Sequence, residues 1–241
     1  MSFESNDFYT GDAYVQNNPL WNDDDSAWKA GQIDSLLKAN GISPQSVIEV
    51  GCGAGGILHK LEELQPGIDW LKGFDISPHA ILLASKRETA KLKFYETDFL
   101  THPIKRSQLL LIIDVIEHVD DFYGFLNKIG AWSEYFVFHI PLDLSVRNLL
   151  KPHTIKIGRT KIGHIHYFTK DTAEWALHDT GFEIIDFVYT KPMTDTRPAK
   201  NFKQLVKKTL RNISFSLMKS WSVRMWGGYS ILVLAKKREL Y

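Results

Sequence analysis

The apolar residues of this chain fall into short continuous runs, and most runs are separated by stretches in which apolar residues recur at helical spacing. Runs closed by Gly, Pro or Asp are typical of buried strands, whereas helical spacing indicates amphipathic helices. Alternation of the two predicts an α/β protein with a mostly parallel sheet and helices on both faces. The predicted strands are 47–50, 70–75, 92–96, 109–113, 135–140, 182–189 and 229–235.

The first predicted strand runs directly into a glycine-rich turn, V-I-E-V-G-C-G-A-G-G over 47–56, and a helix follows. Glycine lets a ligand approach the backbone, and a helix N-terminus offers free N–H groups. The turn could also be purely structural. Gly51, Gly53 and Gly56 formally satisfy the dinucleotide pattern, but the carboxylate of Glu49 would repel a pyrophosphate. A cationic cofactor without phosphate would tolerate Glu49 better.

Acidic residues end the next two predicted strands. Asp75 closes the second strand, 24 residues after Gly51, and Ser77-Pro78 then predicts a helix start. An acid at this place can accept hydrogen bonds from both ribose hydroxyls of an adenosine, although it could simply complement the helix dipole. Asp98 and Phe99 follow the third strand in the same way.

The segment E-V-G-C-G-A-G resembles the first motif of class I S-adenosylmethionine-dependent methyltransferases, and the resemblance extends over about 47–237. It implies a seven-stranded, mostly parallel Rossmann-like sheet whose last strand is antiparallel. It also implies that S-adenosylmethionine is the cofactor and S-adenosylhomocysteine the product. Carried over position by position, it assigns cofactor binding to Glu49, Gly51, Cys52, Gly53, Asp75, Ile76, Asp98, Phe99, Asp114 and Val115.

Two further patterns resemble substrate-side segments of small-molecule members of that family. D-V-I-E-H-V after the fourth strand contributes Glu117 and His118, and G-H-I-H-Y-F-T contains His164 and His166. If the acceptor is a hydroxyl, His166 and His118 are the candidate general bases. His164 and His166 alternate, so at most one of them is expected to face the cleft.

The acidic side chains of the D-V-I-E-H-V segment have two alternative roles. Glu117 and Asp114 could orient the acceptor or, with His118, hold a divalent cation, as in some quinone-type relatives. The sequence contains no complete ligand set there, so no metal is assigned.

Composition limits the classes of molecule that the chain is expected to bind. The formal net charge is +1, so no nucleic acid is expected, and the predicted acceptor is a small molecule. Cys52 is the only cysteine, and there is no signal-like or membrane-spanning run, which predicts a reducing, cytoplasmic location. The rivals are a protein or RNA methyltransferase, a non-catalytic cofactor-binding protein of the same fold, and a nicotinamide oxidoreductase.

The chain is expected to form a single domain over 1–241 with two additions. An acidic, aromatic N-terminal arm and a helix occupy 1–45, where the arm either folds over the cofactor cleft or is a partly ordered tail. A basic amphipathic helical insertion occupies 190–228. That insertion is a packed surface helix, a lid, a site for an acidic substrate, or a peripheral membrane contact through 200–226. The sequence leaves the oligomeric state open.

Overall fold

The computed structural model describes Asn18, Trp21, 23–102, 105–191, Ala199 and 201–238. Within these residues, seven strands form one sheet in the order β3-β2-β1-β4-β5-β7-β6. The strands are β1 Ser46–Val50, β2 Trp70–Asp75, β3 Leu92–Glu96, β4 Ser107–Ile113, β5 Ser133–Pro141, β6 Phe182–Thr190 and β7 Ser230–Lys237. β7 runs antiparallel to both β5 and β6, and the other pairs are parallel. The predicted fold, including its antiparallel last strand, is confirmed.

Helices cover both faces of the sheet and enclose two hydrophobic cores. α1 to α3 contribute to one core, while α4, α7, α8 and α9 contribute to the other. The helices are α1 Ser26–Ala39, α2 Gly56–Leu64, α3 Pro78–Ala84, α4 Phe122–Ile129, α5 Val146–Leu149, α6 Pro152–Ile157, α7 Lys170–Asp179, α8 Phe202–Leu217 and α9 Lys219–Trp226. No helix among the described residues is long and apolar enough to cross a membrane.

The strand order reverses between β1 and β4, which are adjacent and parallel in the centre of the sheet. All of β1 is buried, as expected for a strand covered on both faces. In open parallel sheets, ligands bind outside the carboxyl ends of the strands at such a reversal. The glycine turn after β1 and the D-V-I-E-H-V segment after β4 therefore reach the same edge.

Local signals located several boundaries but were less accurate about caps. Thr169 caps α7 through a reciprocal bond pair with Thr172. Ser77 occupies the N-cap position of α3, yet its side chain makes no capping bond. α1 begins at Ser26, and Asp25 occupies its N-cap position. Residues 1–17 of the predicted N-terminal arm lie outside the described residues.

Candidate functional site

A cavity of about 720 Å³ opens at the carboxyl edge of the sheet, where the strand order reverses. This volume lies within the range of roughly 300–1,000 Å³ that is usual for small-molecule sites. Every cofactor-binding residue predicted from the sequence lines it: Glu49, Gly51, Cys52, Gly53, Asp75, Ile76, Asp98, Phe99, Asp114 and Val115. His118 lines it as well.

The glycine turn forms one wall of the cavity because its backbone takes conformations that L side chains rarely adopt. Gly51 and Gly53 have φ angles of 69° and 52°. A Cβ on Gly51 would approach Cγ2 of Val115 to 2.7 Å, so a side chain there would clash with the segment after β4. The turn thus depends on glycine for its shape and for its close packing against Val115.

Asp75 fixes this turn from the end of β2. Its two carboxylate oxygens accept hydrogen bonds from the backbone N–H groups of Gly53 and Ser77, each at 2.9 Å. Burial raises the pKa of Asp75 above its ordinary value, and these backbone bonds oppose that shift. Each carboxylate oxygen can accept more than one hydrogen bond, so Asp75 retains capacity for a hydroxyl-bearing ligand.

Glu49 lies beneath the glycine turn and is only 1% exposed. Its Oε2 has no hydrogen-bond partner among the described residues. Burial raises the pKa of Glu49 well above the ordinary value; Lys29 opposes this shift and Asp75 adds to it. A buried polar atom without a partner is costly, so Glu49 is matched to a ligand that donates a hydrogen bond or carries positive charge.

A partly buried ion-pair network holds Asp114, which begins the segment after β4. Its Oδ2 lies 2.8 Å from Nζ of Lys29, and its Oδ1 lies 2.6 Å from Nδ1 of His139. His139 is also hydrogen-bonded to the hydroxyl of Thr190 at 2.9 Å. Burial alone would raise the pKa of Asp114, but His139 and Lys29 lower it, so the group is a carboxylate. Both of its oxygens therefore have partners other than a metal ion.

Asp98, Phe99 and Cys52 line the cavity mainly as parts of its wall. Asp98 accepts from the backbone N–H of Leu100 at 2.9 Å, which caps the short 3₁₀ turn Phe99–Thr101. The ring of Phe99 packs in the core, edge-on to Phe74 with centroids 5.4 Å apart. Burial raises the pKa of the Cys52 thiol, so this cysteine is neutral.

A second group of polar side chains, distinct from the glycine turn, lines the same cavity. Glu117, His118 and His164 each offer a ligand atom, and these atoms all lie within 4.8 Å of one another. Glu117 is 1% exposed, and neither of its oxygens has a hydrogen-bond partner among the described residues. Burial, reinforced by Asp114, raises the pKa of Glu117 well above its ordinary value.

The two histidines of this group are oriented by their Nδ1 atoms. Nδ1 of His118 lies 3.1 Å from the carbonyl oxygen of Gly163, and Nδ1 of His164 lies 2.7 Å from Oδ2 of Asp143. If each Nδ1–H donates, each Nε2 carries the lone pair. Burial lowers the pKa of His118 to about 4, so His118 is neutral at neutral pH.

The imidazoles of His118 and His164 and the carboxyl group of Glu117 form a donor set suited to a divalent transition metal. Nδ1 of each imidazole is already held, by the carbonyl of Gly163 and the carboxylate of Asp143, which leaves Nε2 for a metal. Among Asp114, Glu117 and His118, the sequence alone shows no complete ligand set, so no metal was predicted. In the structure His164 approaches Glu117 and His118, while Asp114 points to Lys29 and His139.

His166, the other predicted base, does not line the cavity. Its Nε2 lies 2.9 Å from the carbonyl oxygen of Val119, and its ring packs edge-on to Phe122. Of the two alternating histidines, His164 is therefore the one that faces the cavity. His164 was named in the sequence analysis only as an alternative to His166.

Several residues of the site were missed from the sequence. Lys29, His139 and Asp143 are partners of site residues through contacts that no local pattern encodes. The available signals were the placement of His139 within a buried strand and of Asp143 two residues after the end of that strand.

Comparison with protein families gives a match over most of the chain. A family model described as "Methyltransferase domain" matches residues 26–186. Comparison with curated proteins gives no match.

Solved methyltransferase structures share the fold. Magnesium protoporphyrin IX methyltransferase from Synechocystis PCC 6803, with bound S-adenosylhomocysteine, is 16% identical, with 88% of this chain and 83% of that chain covered and a TM-score of 0.58. The putative methyltransferase in complex with the Haloferax volcanii Trm112 activator is 15% identical, with 95% of each chain covered and a TM-score of 0.64. N-methyltransferase NodS from Bradyrhizobium japonicum WM9, in complex with S-adenosylhomocysteine, is 14% identical, with 95% and 100% covered and a TM-score of 0.60. At these identities the similarity shows the fold.

Proposed function

The chain belongs to the methyltransferase domain family, as a class I S-adenosylmethionine-dependent methyltransferase, and we propose that it methylates an oxygen, nitrogen or carbon nucleophile of a small molecule. The observation that carries this proposal is the single cavity that joins the glycine turn to the Glu117, His118 and His164 group. Such a cavity gives the cofactor and the acceptor adjacent places.

The residues around the glycine turn fit a cofactor with a positive centre and no phosphate. The unpartnered Oε2 of Glu49 would accept from a cationic group, and a carboxylate at this depth would repel a pyrophosphate. Asp75 would accept from ribose hydroxyls with its remaining lone pairs, and the turn would contact the cofactor through its backbone. S-adenosylmethionine supplies an activated methyl group on a sulfonium, so the protein's main contribution is alignment of the acceptor.

On the acceptor side, His164 is the proposed general base for a hydroxyl or ammonium acceptor. The carboxylate of Asp143 holds its Nδ1–H and would stabilise the imidazolium that forms when Nε2 takes a proton. His118, with its pKa lowered to about 4, is a weak base at neutral pH and is better suited to accept a hydrogen bond. Glu117 would orient the acceptor, or share a divalent cation with the two histidines.

The acceptor class is the open part of the proposal. A small molecule is favoured by the near-neutral net charge and the enclosed polar group, and the N-methyltransferase NodS has the same fold. A macromolecular acceptor is the alternative, because one methyltransferase of this fold forms a complex with the Haloferax volcanii Trm112 methyltransferase activator. We propose a cytoplasmic location from the buried single cysteine, Cys52.

The test is release of S-adenosylhomocysteine from S-adenosylmethionine in the presence of a panel of small alcohols, phenols and amines, with bulk RNA and protein as comparison acceptors. His164→Gln should lower turnover on the acceptor found by at least about 100-fold, the usual contribution of a positioned base. It should leave the affinity for S-adenosylhomocysteine unchanged.

His166→Gln is the matched control for this test. It makes the same change on the alternate histidine, outside the cavity, and should leave turnover within a few-fold of wild type. Loss of turnover in His166→Gln alone would restore His166 as the base. Release of product only with RNA or protein would overturn the small-molecule proposal.

A further inference from the structure

Helix α8 presents most of its apolar residues to solvent instead of to the protein. Along Phe202–Leu217 they recur at helical spacing and so form one stripe. Every member of this stripe is exposed, and Phe202 and Leu217 are 79% and 77% exposed. The outer stripe consists of Phe202, Leu205, Val206, Leu210, Ile213 and Leu217.

The opposite face of α8 holds the helix on the protein. Arg211 is buried and donates from Nη2 to the carbonyl oxygen of Gly227 at 3.0 Å. Phe215 is buried and stacks on Tyr229 with ring centroids 5.1 Å apart. Because these contacts fix the inner face, the outer stripe is an apolar surface directed away from the domain. Exposed apolar patches of this kind mark sites for partners or membranes.

The segments that carry and adjoin the outer stripe are basic, and Asp171 of α7 pairs with Arg224 at 2.9 Å. The segment 201–226 contains six Lys or Arg and no Asp or Glu. The segment 146–162, which includes α5 and α6, contains five Lys or Arg and again no acid. The two segments adjoin, because Arg147 donates to the carbonyl oxygen of Trp226 at 3.4 Å. The second segment adds the exposed Leu149 and Leu150.

α8 contacts one residue of the cavity wall. Lys191 lines the cavity, and its Nζ donates to Oδ1 of Asn212 on α8 at 3.2 Å. The same ammonium lies 4.8 Å from the ring centroid of Phe215. A surface that received the outer stripe would therefore lie against a helix that contacts the cavity through Lys191.

We propose that α8, together with the adjoining basic segment 146–162, docks in the plane of an anionic lipid membrane. An apolar stripe flanked by lysines, on a helix whose other face is fixed to a domain, is the arrangement that inserts shallowly among lipid headgroups. Complementary charge identifies the lipids as anionic, and the lack of acidic residues in both segments disfavours a basic partner. Docking does not depend on the proposed acceptor, and it extends the membrane contact expected for 200–226 to a second segment.

The test is co-sedimentation of the full chain with vesicles of phosphatidylcholine alone or with about one-third phosphatidylglycerol. Phe202→Ser/Leu217→Ser removes the two most exposed members of the stripe. Lys156→Glu/Lys203→Glu/Lys219→Glu reverses three exposed charges on the two segments. Each should weaken partition into anionic vesicles by at least about tenfold, the first because apolar area no longer inserts and the second because attraction to the anionic headgroups is lost.

Matched controls carry the same substitutions elsewhere on the surface. Leu82→Ser/Trp175→Ser alters a comparably exposed leucine and aromatic residue, and Lys86→Glu/Lys105→Glu/Arg238→Glu makes an equal charge change. Both controls should bind like wild type. Failure of wild type to bind anionic vesicles, equal loss in the controls, or a stable dimer that Phe202→Ser/Leu217→Ser dissociates would overturn the proposal. Affinity for S-adenosylhomocysteine should not change in any variant, which separates this result from the cofactor site.

Discussion

Asp75→Ala should weaken cofactor binding and also destabilise the protein, and the two effects can be separated. In the ligand-free protein the carboxylate accepts two backbone hydrogen bonds, from Gly53 and Ser77, both at 2.9 Å. Alanine leaves both N–H groups without this acceptor, so we expect the free energy of unfolding to fall by roughly 2–4 kcal/mol. Loss of the ribose contacts should cost a further ~1–3 kcal/mol in binding, which raises Kd about 5- to 150-fold.

The assay is titration calorimetry with S-adenosylhomocysteine, next to urea denaturation of the same samples. Glu88→Ala is the control for destabilisation alone, because Glu88 accepts from the backbone N–H of Phe94 at 3.0 Å and does not line the cavity. It should lower stability and leave Kd unchanged. An analogue of S-adenosylhomocysteine that lacks both ribose hydroxyls should bind wild type more weakly than S-adenosylhomocysteine does. In Asp75→Ala the two compounds should bind with similar affinity. If Asp75→Ala binds S-adenosylhomocysteine as tightly as wild type does, the ribose assignment is refuted.

Three other changes test the electrostatics of the cavity. Lys29→Met should lower the free energy of unfolding in urea by roughly 2 kcal/mol, because it leaves the partly buried carboxylate of Asp114 with one partner fewer. Lys38→Met removes an ion-pair partner that is 62% exposed and should cost less than about 1 kcal/mol; equal effects would contradict the network. Glu49→Gln should become more stable relative to wild type as pH rises. Because the pKa of folded Glu49 is raised, the stability that wild-type Glu49 contributes is complete below the unfolded pKa near ~4.3 and is lost as pH rises through the folded pKa, by up to about 1.4 kcal/mol per pH unit. Parallel pH–stability curves for the two proteins without ligand would oppose this. If Glu117 and the two histidines hold a divalent cation, so that Nε2 of His164 is a ligand and not the base, Mn²⁺ added after a chelator should raise the Tm of wild type and not of Glu117→Ala; a shift in neither would leave His164 as the base and argue against a metal there.

The parts of the site that follow from the sequence are those encoded locally. Gly51 and Asp75 stand at the ends of adjacent parallel strands, and parallel strands end at one edge of a sheet. Their meeting at one cavity is therefore a consequence of strand order, which the alternation of elements and the resemblance to a known family both indicated.

The missed contacts depend on packing between distant segments. Asp143 pairs with His164, and Lys29 pairs with Asp114. The sequence around these residues contains no local pattern that predicts either contact. Helical spacing in 202–217 predicted α8, but the same spacing fits a stripe turned inward or outward. The inner face is set by Arg211, through its bond to Gly227, which periodicity cannot reveal.

The most direct test of the account is calorimetric titration of the wild-type protein with S-adenosylhomocysteine, in parallel with NADH. S-adenosylhomocysteine should bind and NADH should not, because Oε2 of buried Glu49 would accept from a cationic amino group, which NADH does not carry. Binding of NADH, or of neither compound, would contradict the assignment of the glycine turn as the methyl-donor site.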